Sequence, residues 1–297
     1  MRKFLSGLWK VVTAPFRWLL WLLALPFRAF RNLYHFLIVE PEEHSLADVF
    51  TAAIQDKESR ESLWHHIEAL RKHLLRSVLA MVIAIGVSFV FTQRLVEFLA
   101  RPVGGLGALR AIDVTESIGV FMRVALLTGL AIALPYITFE FWWFIAPGLK
   151  PRSRIFGLVG VPLALILFLS GMAFAYFLMF PTALPFLLNF MGVQAQLRPQ
   201  SYFGFATGLM FWIGVSFEFP LVIYVLTAIG LLKPRILISQ WRLAIVLIAV
   251  LAAVITPTVD PINMSLVMLP MILLYFIGIG LSFIAYAGRK KSLSQSA

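Results

Sequence analysis

The chain has 297 residues and no cysteine; 61% of its residues are hydrophobic, 13% are charged, and its formal net charge is +11. That balance excludes a soluble domain and describes a polytopic membrane protein, while the absence of cysteine excludes disulfides and thiolate metal sites. Nucleic-acid binding is excluded as the meaning of the positive charge, because the basic residues gather at the ends of apolar runs, the pattern that sets membrane orientation.

Residues 1–40 form a basic leader. Pro-Phe-Arg occurs at 15–17 and again at 26–28. At ~100° per residue, Lys3, Lys10, Arg17, Arg28 and Arg31 share one sector of a helical wheel, and Trp18, Leu22 and Leu25 lie outside it. A basic stripe beside Trp, Leu and Phe predicts an amphipathic helix lying on anionic lipid. The competing reading is a signal peptide, but the apolar run Trp18 to Leu25 is short and arginines continue past it. Residues 41–62, with Glu40-Pro41-Glu42-Glu43 and Asp56-Lys57-Glu58 at their edges, read as a polar cytoplasmic linker or short helix.

A six-span core at 63–288 and a basic tail at 289–297 follow. The expected spans are Leu75 to Phe91, Gly119 to Ile145 with Pro135 inside, Ile155 to Phe180 ended by Pro181, Tyr202 to Ile229, Leu243 to Ile255, and Met264 to Ala287. Each but the fifth approaches the ~20 residues needed to cross ~30 Å of hydrocarbon. The fifth is short and should thin the bilayer locally or lie within the bundle. Lys150, Arg152, Arg154, Lys233, Arg235, Arg242 and Arg289 to Lys291 fall on one side. Arginines on the other side are mixed with Glu97, Asp113, Glu116 and Asp260. The positive-inside bias therefore puts both termini in the cytoplasm.

Glu218 is the outstanding single residue, a carboxylate in the apolar run from Phe203 to Ile229. A charge at membrane depth costs roughly 2.5–3.5 kcal/mol on insertion scales and marks a functional site by default. A buried neutral acid bonded to a neighbouring helix is the alternative. No catalytic or metal constellation is present. All five histidines, His35, His44, His65, His66 and His73, precede the first span and are expected not to reach a site in the core. No Gly-Lys-Ser/Thr phosphate loop occurs either, so no enzyme, metal or cofactor is expected.

Several segments, in order, resemble one family. Trp64-His65-His66-Ile67-Glu68-Ala69-Leu70-Arg71-Lys72-His73-Leu74 is similar to the amino-terminal motif of TatC, the multispanning component of the twin-arginine protein translocase. Phe141-Trp142-Trp143-Phe144-Ile145-Ala146-Pro147-Gly148-Leu149 resembles its first cytoplasmic loop, and Gly171-Met172-Ala173-Phe174-Ala175-Tyr176-Phe177 its third span. Gly214-Val215-Ser216-Phe217-Glu218-Phe219-Pro220 is the most specific match, and Thr256-Pro257-Thr258-Val259-Asp260-Pro261 resembles its last periplasmic turn.

The resemblance implies an all-α fold of six tilted transmembrane helices in the plasma membrane, with both termini cytoplasmic. It also implies binding of twin-arginine signal peptides and assembly of TatA- and TatB-type single-span partners for proton-gradient-driven export of folded proteins. Self-association, or pairing with a second TatC-like chain, goes with it. Carried over by position, the signal site would comprise Glu68, Arg71, Lys72, Phe144 and Ser153. Glu218 would contact a partner helix in the membrane, and Asp260 would organise the periplasmic turn, a role any Asp before Pro also fills.

The chain departs from the family pattern at three acids. Where the amino-terminal motif usually carries glutamate it has Ala69, with Glu68 one place earlier; a second loop glutamate is replaced by Ser153; and a glutamate often found in the sixth span is replaced by Phe276. Either Glu68, aided by Glu61 or Glu140, serves as the acceptor of the paired arginines, or the chain is a divergent assembly subunit without signal recognition. A secondary transporter is the reading from another class, but residues 75–180 and 203–287 show no internal repeat.

Overall fold

A computed structural model describes residues 57–148, 151–189, 196–256 and 261–293 of the chain. The leader, most of the linker and Asp260 lie outside the described residues. Every described element is helical.

Helix α1 spans Lys57–Ala100, 44 residues, roughly 66 Å at ~1.5 Å per residue, and is far longer than the bilayer is thick. No proline interrupts it, and Glu58 and Glu61 near its start suit the positive end of the helix dipole. The tail of the expected linker is therefore a helical extension of the first span. Helix α2, Glu116–Ile145, carries Pro135 without breaking.

Helix α3, Pro151–Phe174, continues through a π turn at Ala175–Met179 into α4, Phe180–Asn189. Pro181 was expected to end this span, and it does not. The π turn immediately before it widens the helix, with Phe180 N–H donating to Ala175 O, so the proline that follows is accommodated.

The expected fourth span divides into α5, Pro199–Phe217, and α6, Phe219–Ala228, with Glu218 between them. Pro220 explains the break: it has no N–H to give the preceding turn and it disfavours helical geometry at the residue before it. A short α7, Pro234–Ser239, leads to α8, Trp241–Ile255, and to α9, Pro261–Leu293. Five helical stretches are long and apolar enough to cross a membrane, and α8 is the shorter sixth, as its sequence indicates.

Helix α2 packs antiparallel on α1 and also meets α3 and α5; α6 and α8 pack on α9. The main core gathers Val124, Phe168, Phe180, Phe203, Ala206 and Ile213. Small residues set the closest approaches. A Cβ on Gly171 would stand 2.8 Å from Gly214 Cα and 2.9 Å from Ile213 O, and one on Gly129 would stand 2.8 Å from Ile85 Cα. Ser88 Oγ donates to Ala125 O across the same α1–α2 seam at 2.9 Å.

The ends of the bundle opposite the α2–α3 loop are tied by polar contacts. Tyr176 Oη donates to Phe98 O at 2.9 Å and Tyr202 Oη donates to Leu99 O, so two tyrosines satisfy carbonyls of the last turn of α1. Arg110 N–H donates to Leu197 O at 3.1 Å. Arg198, at the start of α5, donates through Nε at 3.0 Å to Glu116, which is 2% exposed at the start of α2. These contacts hold the 101–115 segment against the start of α5.

Gly171→Ala should drive α3 from α5 because backbone, not a flexible side chain, meets the new methyl. The expected loss is about 1–3 kcal/mol, read as a lower unfolding midpoint in detergent. An unchanged midpoint would show that this contact is not tight.

Candidate functional site

At the end of α1 and α2 expected to be cytoplasmic, three side chains converge on one carboxylate. Ala69, His73 and Arg76 fall on one face of α1, because positions three and four apart on a helix are neighbours. Facing them from α2 is Glu140, 5% exposed. His73 Nδ1 donates to Glu140 Oε2 at 2.5 Å, and Tyr136 Oη, one turn earlier on α2, donates to Oε1 at 2.7 Å. Arg76 Nη1 stands 3.9 Å from Oε2. The Phe144 ring, one turn beyond Glu140, meets the His73 ring edge-on with centroids 6.0 Å apart.

The other expected signal-site residues lie apart from this cluster. Glu68 is exposed and pairs with Lys72 at 3.0 Å, a surface pair of the kind that contributes little. Arg71 is exposed as well. The side chain of Ser153 is outside the described residues.

Its neighbour Arg154, in the first turn of α3, is 4% exposed and turns back onto the loop before it. Arg154 Nε donates to Ala146 O at 2.8 Å, while Trp142 Nε1 donates to Arg154 O at 3.1 Å. Burial pushes the Arg154 guanidinium below the ordinary arginine range, and the carbonyls at the end of α2 hold its charge. This arginine therefore braces the loop and does not present a free positive charge to a ligand.

Glu218, at the α5–α6 break, is half-buried, and its Oε1, like Oε2 of Glu116, has no hydrogen-bond partner among the described residues. Phe276, at the position of the missing third acid, is 50% exposed on the outer face of α9. Among the described residues no group of three His, Asp or Glu side chains could hold a metal.

The expectation that no histidine reaches the core is overturned for His73. Antiparallel packing of α1 on α2 brings it to Glu140, 67 residues away in sequence. The signal that pointed to Glu218 was present for Glu140 too, a carboxylate in the expected second span with only Arg123 as charged company between Gly119 and Ile145.

The fold defines a multi-pass, all-α membrane protein. Comparisons with known proteins specify it further. The family model for TatC, described as "Sec-independent protein translocase protein (TatC)", matches residues 65–270. The TatC of Deinococcus radiodurans is 36% identical over 229 residues, covering 74% of this chain and 85% of that protein. The TatC of Aquifex aeolicus is 34% identical, with 79% and 99% covered. A crystal structure of the twin-arginine translocase receptor TatC superposes with a TM-score of 0.63 at 34% identity, covering 74% of this chain and 99% of the other. The chain belongs to the TatC family and is a component of the twin-arginine protein translocase, not an enzyme.

Removing His73 should expose the strength of the Glu140 cluster. His73→Ala leaves a buried carboxylate one donor short, a loss of about 1–3 kcal/mol seen as a lower unfolding midpoint. His73→Asn should recover part of it. Equal midpoints for wild type and His73→Ala would mark the pair as energetically idle.

Proposed function

We propose that this chain is a receptor and assembly subunit in the plasma membrane, with both termini cytoplasmic, where the basic loops put them. It binds twin-arginine signal peptides at its cytoplasmic face and assembles TatA- and TatB-type partners for export of folded proteins driven by the proton gradient. The single observation that carries signal reading is Glu140. The family's amino-terminal glutamate is Ala69 here, and Ala69 lies one turn from His73 on the α1 face that Glu140 meets. The acid absent from α1 is thus supplied to the same face from α2. A guanidinium binds a carboxylate with two parallel hydrogen bonds, and to do so here it must displace His73 and share the carboxylate with Arg76, 3.9 Å away.

Glu218 carries the assembly half of the proposal. Its unpaired oxygen sits where Pro220 breaks the span, so a polar group on a partner helix gains a strong contact in a medium that offers no water. The departures at Ala69, Ser153 and Phe276 favour the second reading, an assembly subunit that leaves signal recognition to another TatC-like chain.

Photocrosslinkers at positions 69, 76 and 144 separate these readings when a twin-arginine precursor is compared with its twin-lysine form in membranes. Crosslinks that depend on arginine and fall about tenfold in Glu140→Gln are expected, the loss of one charged hydrogen-bonded contact. Arginine-independent or absent crosslinks, with partner crosslinks intact near 218, would establish the assembly subunit instead. Glu218→Ala should cut partner crosslinking and export while signal crosslinks persist. If both partner crosslinking and export stayed at wild-type level, Glu218 would have no part in assembly.

A further inference from the structure

Helix α2 carries three charges, Glu116 in its first turn, Arg123 and Glu140. Between Arg123 and Glu140 the chain is uncharged from Val124 to Phe139, about 24 Å of helix. That is shorter than the ~30 Å of hydrocarbon, so the two flanking charges sit at or just inside its two margins. Glu140 is compensated by His73, Tyr136 and Arg76. Glu116, two turns above Arg123, is taken by Arg198.

Arg123 has no such compensation. Its side chain is exposed and makes no ion pair or hydrogen bond among the described residues. Its guanidinium lies across Gly204 of α5, and a methyl carbon at that position would collide with Nη1. Gly208, one turn further along α5, faces open space. The glycine at 204 leaves room for the exposed arginine to lie over the α2–α5 seam.

A guanidinium at the edge of hydrocarbon without a protein acceptor is stabilised by the nearest anion, and at that depth the anion always present is the lipid phosphate. We propose that Arg123, seated over Gly204, is a binding site for the phosphodiester of one phospholipid in the leaflet on the side of the 101–115 segment. The planar donor fork pairs with two phosphate oxygens, and the acyl chains lie along the glycine-lined face of α5. With the termini cytoplasmic this is the outer leaflet. The site is independent of signal reading at Glu140 and of partner contact at Glu218.

The test is native mass spectrometry of the full chain in mild detergent, titrated with phosphatidylglycerol. Wild type should retain one phospholipid that Arg123→Gln holds about tenfold more weakly, the loss of a charged bidentate contact. Arg123→Lys, which keeps the charge and loses the fork, should bind between wild type and Arg123→Gln. Gly204→Leu, which displaces the guanidinium without removing it, should weaken binding as Arg123→Gln does and serves as the readout if the latter misfolds. Equal retention by wild type, Arg123→Gln and Gly204→Leu would overturn the proposal. It would also be overturned if a photocrosslinker at 204 in membranes captured a polypeptide and no lipid, or if inorganic phosphate displaced the lipid at equal concentration.

Discussion

Hydrocarbon offers no hydrogen-bond partner, and this constraint orders the whole molecule. The hydroxyls inside the spans comply locally. Thr92 donates to Ser88 O, Thr128 to Val124 O, Thr207 to Phe203 O and Thr227 to Ile223 O, each returning its proton to the turn before. These residues need nothing from a neighbour and carry no functional information. A carboxylate cannot be satisfied in that way, because ionised it only accepts. Each acid in the bundle therefore depends on a donor brought by another turn or another helix. Glu116 draws on Arg198 through one oxygen and leaves the other unmet, Glu140 draws on His73 and Tyr136 with both oxygens, and Glu218 keeps one oxygen unmet.

The same constraint explains why proline shapes the bundle where it does. Each proline removes an N–H that lipid cannot replace by solvation. Pro181 follows a π turn that opens the helix before it, so the span continues to Asn189. Pro220 has no such turn before it, and the helix divides at Glu218. A break at membrane depth is tolerated where packing covers it, and here Pro220 is buried with Ile223 approaching Gly278 of α9. The residue that carries the unmet charge and the residue that breaks the helix are two apart, and the break is what leaves the carboxylate off a regular helical face.

Much of this was legible in the sequence. Run length and loop charge located the spans, the shortness of α8 and the oddity of Glu218, because hydropathy and cost at depth are properties of single segments. The His73–Glu140 pair was not legible, since it depends on the register of two antiparallel helices that residue spacing does not encode. Arg154 misleads for a related reason. Within Lys150-Pro151-Arg152-Ser153-Arg154 it reads as one of several loop charges, yet folding turns it inward onto the carbonyl of Ala146. Counting loop charges overstates the repulsion an incoming cation would meet.

The acids thus differ in kind, and the difference bears on what each can do. Glu140 already holds its donors, so any ligand there would have to exchange with His73, and binding would be a competition between donors for one carboxylate. Selectivity in such a site comes from geometry, since a forked guanidinium replaces two hydrogen bonds where an ammonium supplies a point charge. Glu218 offers the opposite case, an acceptor with free capacity whose occupant gains a bond without displacing one. A cargo signal that must be released is suited to the first arrangement, because the internal histidine returns when it leaves. A subunit that must stay is suited to the second, where departure restores an unsatisfied buried oxygen.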